Sequence, residues 1–189
     1  MTTLSFAQRA RLLAIAHESI RHGLTQREVR PPADILTNNE DTALLQPGAS
    51  FVTLQLQGEL RGCIGSLQPY QSLLQDVAHN AFSAAFRDPR FPPLSAREFS
   101  EIELHISVLS PTELLQFSDE TDLLRQLRPG IDGLVLTEGR HRGTFLPQVW
   151  EQLPEPVDFL SQLKRKAGLP PDYWSPTLQV ERYTVTSIP

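Results

Sequence analysis

The chain has 189 residues, 40% hydrophobic and 21% charged, with a formal net charge of −5. That is the composition of a globular protein long enough to bury a core, and the acidic balance makes nucleic acid an unlikely partner by excluding a broad basic footprint. No apolar run reaches the about 18 residues of a membrane span, the N-terminus carries arginines inside its apolar region unlike a secretory leader, and a lone cysteine cannot form an internal disulfide. A single domain over residues 1–189, cytoplasmic and off the membrane, is the expectation.

In chain order, Ser5 and Gln8 have the spacing of a capping box, and Leu12, Ile15, Ala16 and Ile20 recur at helical spacing up to a stop at Gly23. Residues 24–48 read as a long irregular connection. "SFVTLQLQGELRGCIG" alternates, with Val52, Leu54 and Leu56 on one face, and Gly58 suggests a tight turn into a returning strand over 59–65. The spacing of Leu73, Val77, Ala81 and Ala84 predicts a helix over 72–87, which "DPRFPPL" cannot continue. Residues 101–109 alternate again, and a short helix fits 120–127. "GIDGLVLTEGRHRGTFL" reads as strand, turn, strand. "PQVWEQL" opens a helix with proline in its first turn. "PVDFLSQLKRKAGL" is an amphipathic helix, and "LQVERYTVTSI" a final strand. Hairpins and helices interleave without a strand–helix–strand rhythm. The fold class is therefore α+β, a mainly antiparallel or mixed sheet with flanking helices.

The lone cysteine lies in "ELRGCIGSLQP". On a strand, Arg61, Cys63 and Gly65 point one way and Leu60, Gly62 and Ile64 the other. A guanidinium beside a thiol favours the thiolate, and glycines at 62 and 65 leave room for close approach. Cys63 and Arg61 are thus the candidate catalytic pair of a small-molecule or peptide-end pocket. The alternative is structural: the glycines bend a strand, Cys63 fills a gap and Arg61 pairs with a carboxylate. Asn80 falls near the apolar stripe of its helix, where an amide must find partners, either anchoring a loop or lining a pocket. Asp88 can close the turn at Pro89 and pair with Arg90 or Arg61. His105 and Glu103 share the non-core face of their strand, and His105 could serve Cys63 as a base if the two strands are neighbours. Gln148 follows Pro147 at a helix start, where free N–H groups favour anions. No metal-ligand spacing is present, and no cofactor is indicated.

"LRGCIG", "NAFSAAFRDPRFPPL", "ISVLSP", "GIDGLVL", "FLPQVW" and "KAGL…W" occur in an order that resembles the AMMECR domain family, over nearly the whole chain from Phe6 to Val185. The resemblance is to the stand-alone bacterial form, similar to protein A of the Amme–Memo–radical-SAM system. It implies an α+β fold with a larger and a smaller lobe and the "LRGCIG" segment at a cleft between them. It implies Memo-type and radical-SAM proteins as partners in a modification pathway. By position it directs interest to Arg61, Gly62, Cys63, Ile64 and Gly65, then to Asn80, Asp88, Pro89, Arg90 and Phe91. It implies no reaction. His105 stands where the family is more often acidic, which counts against a role as base.

Overall fold

The structure is a computed structural model that describes residues 4–29 and 42–189. Two compact units emerge: one holds the chain up to Leu109 together with Thr186–Pro189, the other Ser110–Val185.

The first unit begins with helix α1 (Phe6–Gln26), opened by the expected Ser5–Gln8 capping box. The helix does not stop at Gly23. That glycine is buried inside it, and the end comes at Arg27, which takes the left-handed conformation (φ 58°). Of the connection read as irregular over 24–48, residues 24–26 instead belong to this helix, and residues 30–41 lie outside the described residues. Strands β1 (Ala49–Leu56) and β2 (Glu59–Gly65) form an antiparallel hairpin. Its two turn residues, Gln57 and Gly58, both have positive φ, as a tight two-residue hairpin turn requires. Helix α2 (Leu73–Phe86) follows, with Ser72 as its N-cap. A single turn, α3 (Ala96–Phe99), then leads to β3 (Ile102–Leu109), which pairs antiparallel with β1. With β8 (Val185–Ile188) the sheet order is β2-β1-β3-β8. Val52, Leu54, Leu104 and Ile106 from the sheet meet Leu74, Val77, Ala78 and Ala81 of α2, and Leu12, Ile15 and Ile20 of α1 close the same core. Burial of this apolar surface is what fixes the strand faces.

The second unit carries β4 (Glu113–Leu114), α4 (Glu120–Gln126), β5 (Gly133–Glu138), β6 (His141–Phe145), a 3-10 turn (Pro147–Glu151), α5 (Pro156–Lys166) and β7 (Gln179–Tyr183). Its sheet order is β4-β7-β5-β6. Trp150 stacks on Phe159 at 3.8 Å between centroids, and its Nε1 donates to the Asp132 carbonyl. Lys164 is fully buried and reaches Glu120 at 2.6 Å.

Two further readings need correction, and two short elements are new. "PQVWEQL" forms one 3-10 turn rather than a helix of full length. The final strand is two, β7 and β8, interrupted at Thr184 and assigned to different sheets. The short β4 and α3 carry too few residues to show a periodicity and were not anticipated.

Candidate functional site around Cys63

Cys63 is half-buried on β2, opposite Thr53 of β1, and Thr53 is in turn opposite His105 of β3. The three lie in one row across the sheet face turned away from the core. The Thr53 hydroxyl donates to Cys63 Sγ at 3.3 Å. His105 is not a neighbour of the thiol. β1 runs between β2 and β3, and two strand spacings put the backbones about 10 Å apart. The expectation of a histidine base for Cys63 is therefore corrected: no direct hydrogen bond spans that gap.

The free edge of β2 is sealed by the segment after α2. Asp88 Oδ2 accepts the Cys63 N–H at 2.9 Å, and Arg90 Nη2 donates to the Cys63 carbonyl at 3.2 Å. Asp88 is itself buried and bonded to Arg90 by Nε at 2.9 Å and Nη2 at 2.6 Å. The Arg90 guanidinium holds the Asp88 carboxyl far below the ordinary carboxylate range despite burial, with the Cys63 and Arg90 N–H groups adding to the effect. Of the two pairings foreseen for Asp88, the Arg90 one forms.

Of the two readings for Arg61, the pairing with a carboxylate forms. The β1–β2 register passes from Leu54↔Gly62 to Gln55↔Leu60, so Arg61 is the extra residue of a bulge, a feature that re-aims a side chain. Its Nε donates to Glu98 Oε1 at 2.7 Å and its Nη2 to the Pro92 carbonyl at 2.9 Å. Glu98 also closes the capping box of α3 with Ser95. The Arg61 hydrogen bond, then the Ser95 N–H, hold its carboxyl down to about 2. Arg61 Nη1 is buried without a hydrogen-bond partner. Phe91 lies within reach of both guanidiniums, 5.9 Å from Arg61 and 5.5 Å from Arg90, at cation–π distance. The charge beside Cys63 is that of Arg90, and Arg61 is committed to a carboxylate.

Gly62 faces α2, and a Cβ there would meet the Ala84 carbonyl oxygen at 2.2 Å. Gly65 faces the Phe51 ring, which a Cβ would meet at 2.2 Å. Ile64 packs against the core. The motif glycines thus serve close packing of the hairpin on α2 and of Phe51 over β2.

Asn80 is buried on the core side and donates to the Ser50 carbonyl at 3.0 Å and to Asp76 Oδ2 at 2.9 Å. Asp76, not anticipated from the sequence, is fully buried. It accepts from Ser50 Oγ at 2.6 Å and from Ser66 Oγ at 2.5 Å, which ties the open end of the hairpin to α2. Burial raises its carboxyl above the ordinary range, and these hydrogen bonds oppose the rise. The signal in the sequence was the i,i+4 spacing of Asp76 and Asn80 within an apolar helix face. Gln148 is exposed, in the second unit, on the single 3-10 turn. Among the described residues no group of three or more His, Cys, Asp or Glu side chains is arranged to hold a metal ion. Nor is any helix long and apolar enough to cross a membrane.

The model of the AMMECR1 family matches residues 13–188. The chain belongs to the AMMECR1 family. A protein of Methanothermobacter thermautotrophicus is 37% identical over 175 residues, covering 91% of this chain and 88% of that one. Protein TK0174 of Thermococcus kodakarensis is 37% identical over 178 residues, covering 88% and 80%. The crystal structure of the uncharacterized protein PH0010 from Pyrococcus horikoshii superposes with a TM-score of 0.80 at 31% identity, over 93% of this chain and 88% of that one. The α+β architecture with two antiparallel sheets is thus that of an AMMECR1-type protein. Within it, "LRGCIG" and "DPRFPPL" are one structural device: the second stretch borders the edge of the first.

Proposed function

We propose that this AMMECR1-family protein is a ligand-binding factor whose site is the sheet face at Cys63, and that it acts with Memo-type and radical-SAM proteins in a modification pathway. One observation carries the reading. Two charged side chains, Asp88 and Arg90, grip the N–H and C=O of one residue, the half-buried Cys63. That fixes the thiol in position beside the Thr53 hydroxyl and near a guanidinium. A thiol so placed can contact or add to an electron-poor carbon, and Arg90 suits an anionic group on the same ligand. With His105 out of reach, a proton acceptor would have to come from the ligand, a partner or solvent. Recognition is therefore better supported than nucleophilic catalysis.

A second reading has its own observation in favour. The same bonds, with Arg61 on Glu98 and Gly62 against Ala84, protect the exposed edge of β2 as edge strands require. In that reading the motif is a folding device in a partner-binding module. Native mass spectrometry of the chain purified from its own cells separates the two. A small-molecule adduct present in the wild type and lost in Cys63→Ser supports the ligand site. An adduct-free wild type, or one whose adduct survives Cys63→Ser, overturns it.

A further inference from the structure

The first unit contains a cavity of about 510 Å³ at the C-terminal ends of α1 and α2, away from the Cys63 face. That is within the about 300–1,000 Å³ typical of small-molecule sites. Gly23, Phe82, Phe86 and Leu94 are part of its apolar wall, and Arg27 and Arg87 are the charged residues of its described lining. Phe82, Phe86, Arg87 and Leu94 all belong to the stretch "NAFSAAFRDPRFPPL", which the edge-sealing of β2 uses only from Asp88 onward.

The wall depends on one small residue. A Cβ at Gly23 would lie 2.4 Å from the Phe86 ring and 2.8 Å from Phe82, so only glycine lets both rings rest on the α1 backbone. A glycine inside a helix destabilises it relative to alanine, so its presence needs such a packing reason.

The two arginines differ from their paired counterparts. Arg61, Arg90, Arg128 and Arg182 each bond a carboxylate. Arg27 and Arg87 are exposed and bond no carboxylate among the described residues; Arg87 instead lies 5.0 Å from the Phe82 ring centroid. Among the described residues, no acidic side chain lines the cavity. Each arginine is also the C-cap of its helix. Helix C-termini carry partial negative charge, which disfavours an anion deep between them and, among the described lining residues, leaves the exposed guanidiniums as its attractive point.

We propose that this cavity binds a small amphipathic monocarboxylate, its apolar body between α1 and α2 and its carboxylate at the Arg27–Arg87 rim. Octanoate is the probe, with octanol as the uncharged match, titrated calorimetrically into the full chain at neutral pH. Octanoate is expected to bind once per chain and to shift the Gly23 amide and Leu94 methyl NMR signals. Combined Arg27→Gln and Arg87→Gln substitution is expected to weaken octanoate at least about tenfold, through loss of charge-assisted hydrogen bonds, and to leave octanol unchanged. Ala96→Trp, at another lining position, is expected to abolish both. No octanoate binding at millimolar concentration overturns the proposal. So do NMR shifts confined to other regions, affinity unaltered by the arginine substitutions, or binding that survives Ala96→Trp.

Discussion

Replacing Asn80 by alanine removes the amide that joins α2 to β1. Its Nδ2 donates to the Ser50 carbonyl at 3.0 Å and to the buried Asp76 carboxylate at 2.9 Å, with Ser50 Oγ at 3.3 Å. The substitution leaves a buried carbonyl without its donor, a cost of about 1–3 kcal/mol, and deprives a buried carboxylate of a bond worth about 1.5–3 kcal/mol. Alanine returns up to about 0.7 kcal/mol through helix propensity. The net expectation is a loss of roughly 2–5 kcal/mol, or roughly 4–20 °C in Tm at this chain length. His79→Ala is the control, because His79 is only half-buried on the same helix. The assay must report on the first unit, and both tryptophans, Trp150 and Trp174, lie in the second. Hydrogen exchange of α2 peptides, with far-UV circular dichroism for the melt, meets that need. Equal exchange and equal melting for the two variants would refute the placement of Asn80 in a buried network.

Gly62→Ala is expected to destabilise the first unit by at least about 1–3 kcal/mol in urea denaturation, because the new methyl meets the Ala84 backbone oxygen rather than a movable side chain. Wild-type stability there would mean that β2 does not lie so close on α2. Asp76 is pushed up by burial, so its contribution is fully present below the ordinary carboxylate pKa and declines as pH rises through its raised value. Asp76→Asn should therefore gain on the wild type from about pH 4 upward, as read from urea midpoints, whereas parallel profiles would show that Asp76 ionises without penalty. Glu98 has the opposite sign: its pKa is lowered to about 2, so its contribution is present above the ordinary range and lost as pH falls toward that value. Glu98→Gln should narrow the loss of stability of the first unit in acid, and an unchanged acid limb would remove the Arg61–Glu98 pair from the account.

The fold was legible where one face of an element is buried. Val52 and Leu54, or Leu73, Val77 and Ala81, repeat with the period of their element because the core demands it. Boundaries were less legible. Gly23 reads as a helix stop, but it is a packing residue against two phenylalanines, and Arg27 takes the left-handed cap that glycine would normally supply. The face assigned to Cys63 was readable from alternation. The bulge at Arg61 was not, because a one-residue insertion depends on the partner strand. Asp88 and Arg90 were visible as candidates, but that they grip the backbone of Cys63 depends on how the chain turns after α2. Asp76 was missed because one carboxylate among apolar residues gives no sign of the Ser50 and Ser66 hydroxyls that meet it.

The central claim is that Cys63 is a positioned, approachable thiol rather than a packing residue. Alkylation of the chain's only cysteine by iodoacetamide tests this most directly, comparing the rate in the native protein with the rate in urea. Cys63 is expected to be modified in the native state without global unfolding, and Arg90→Gln is expected to slow the reaction more than Arg61→Gln, because Arg61 is held by Glu98. Modification that appears only as the protein unfolds would contradict the claim and leave the motif as a device for sealing the edge of β2.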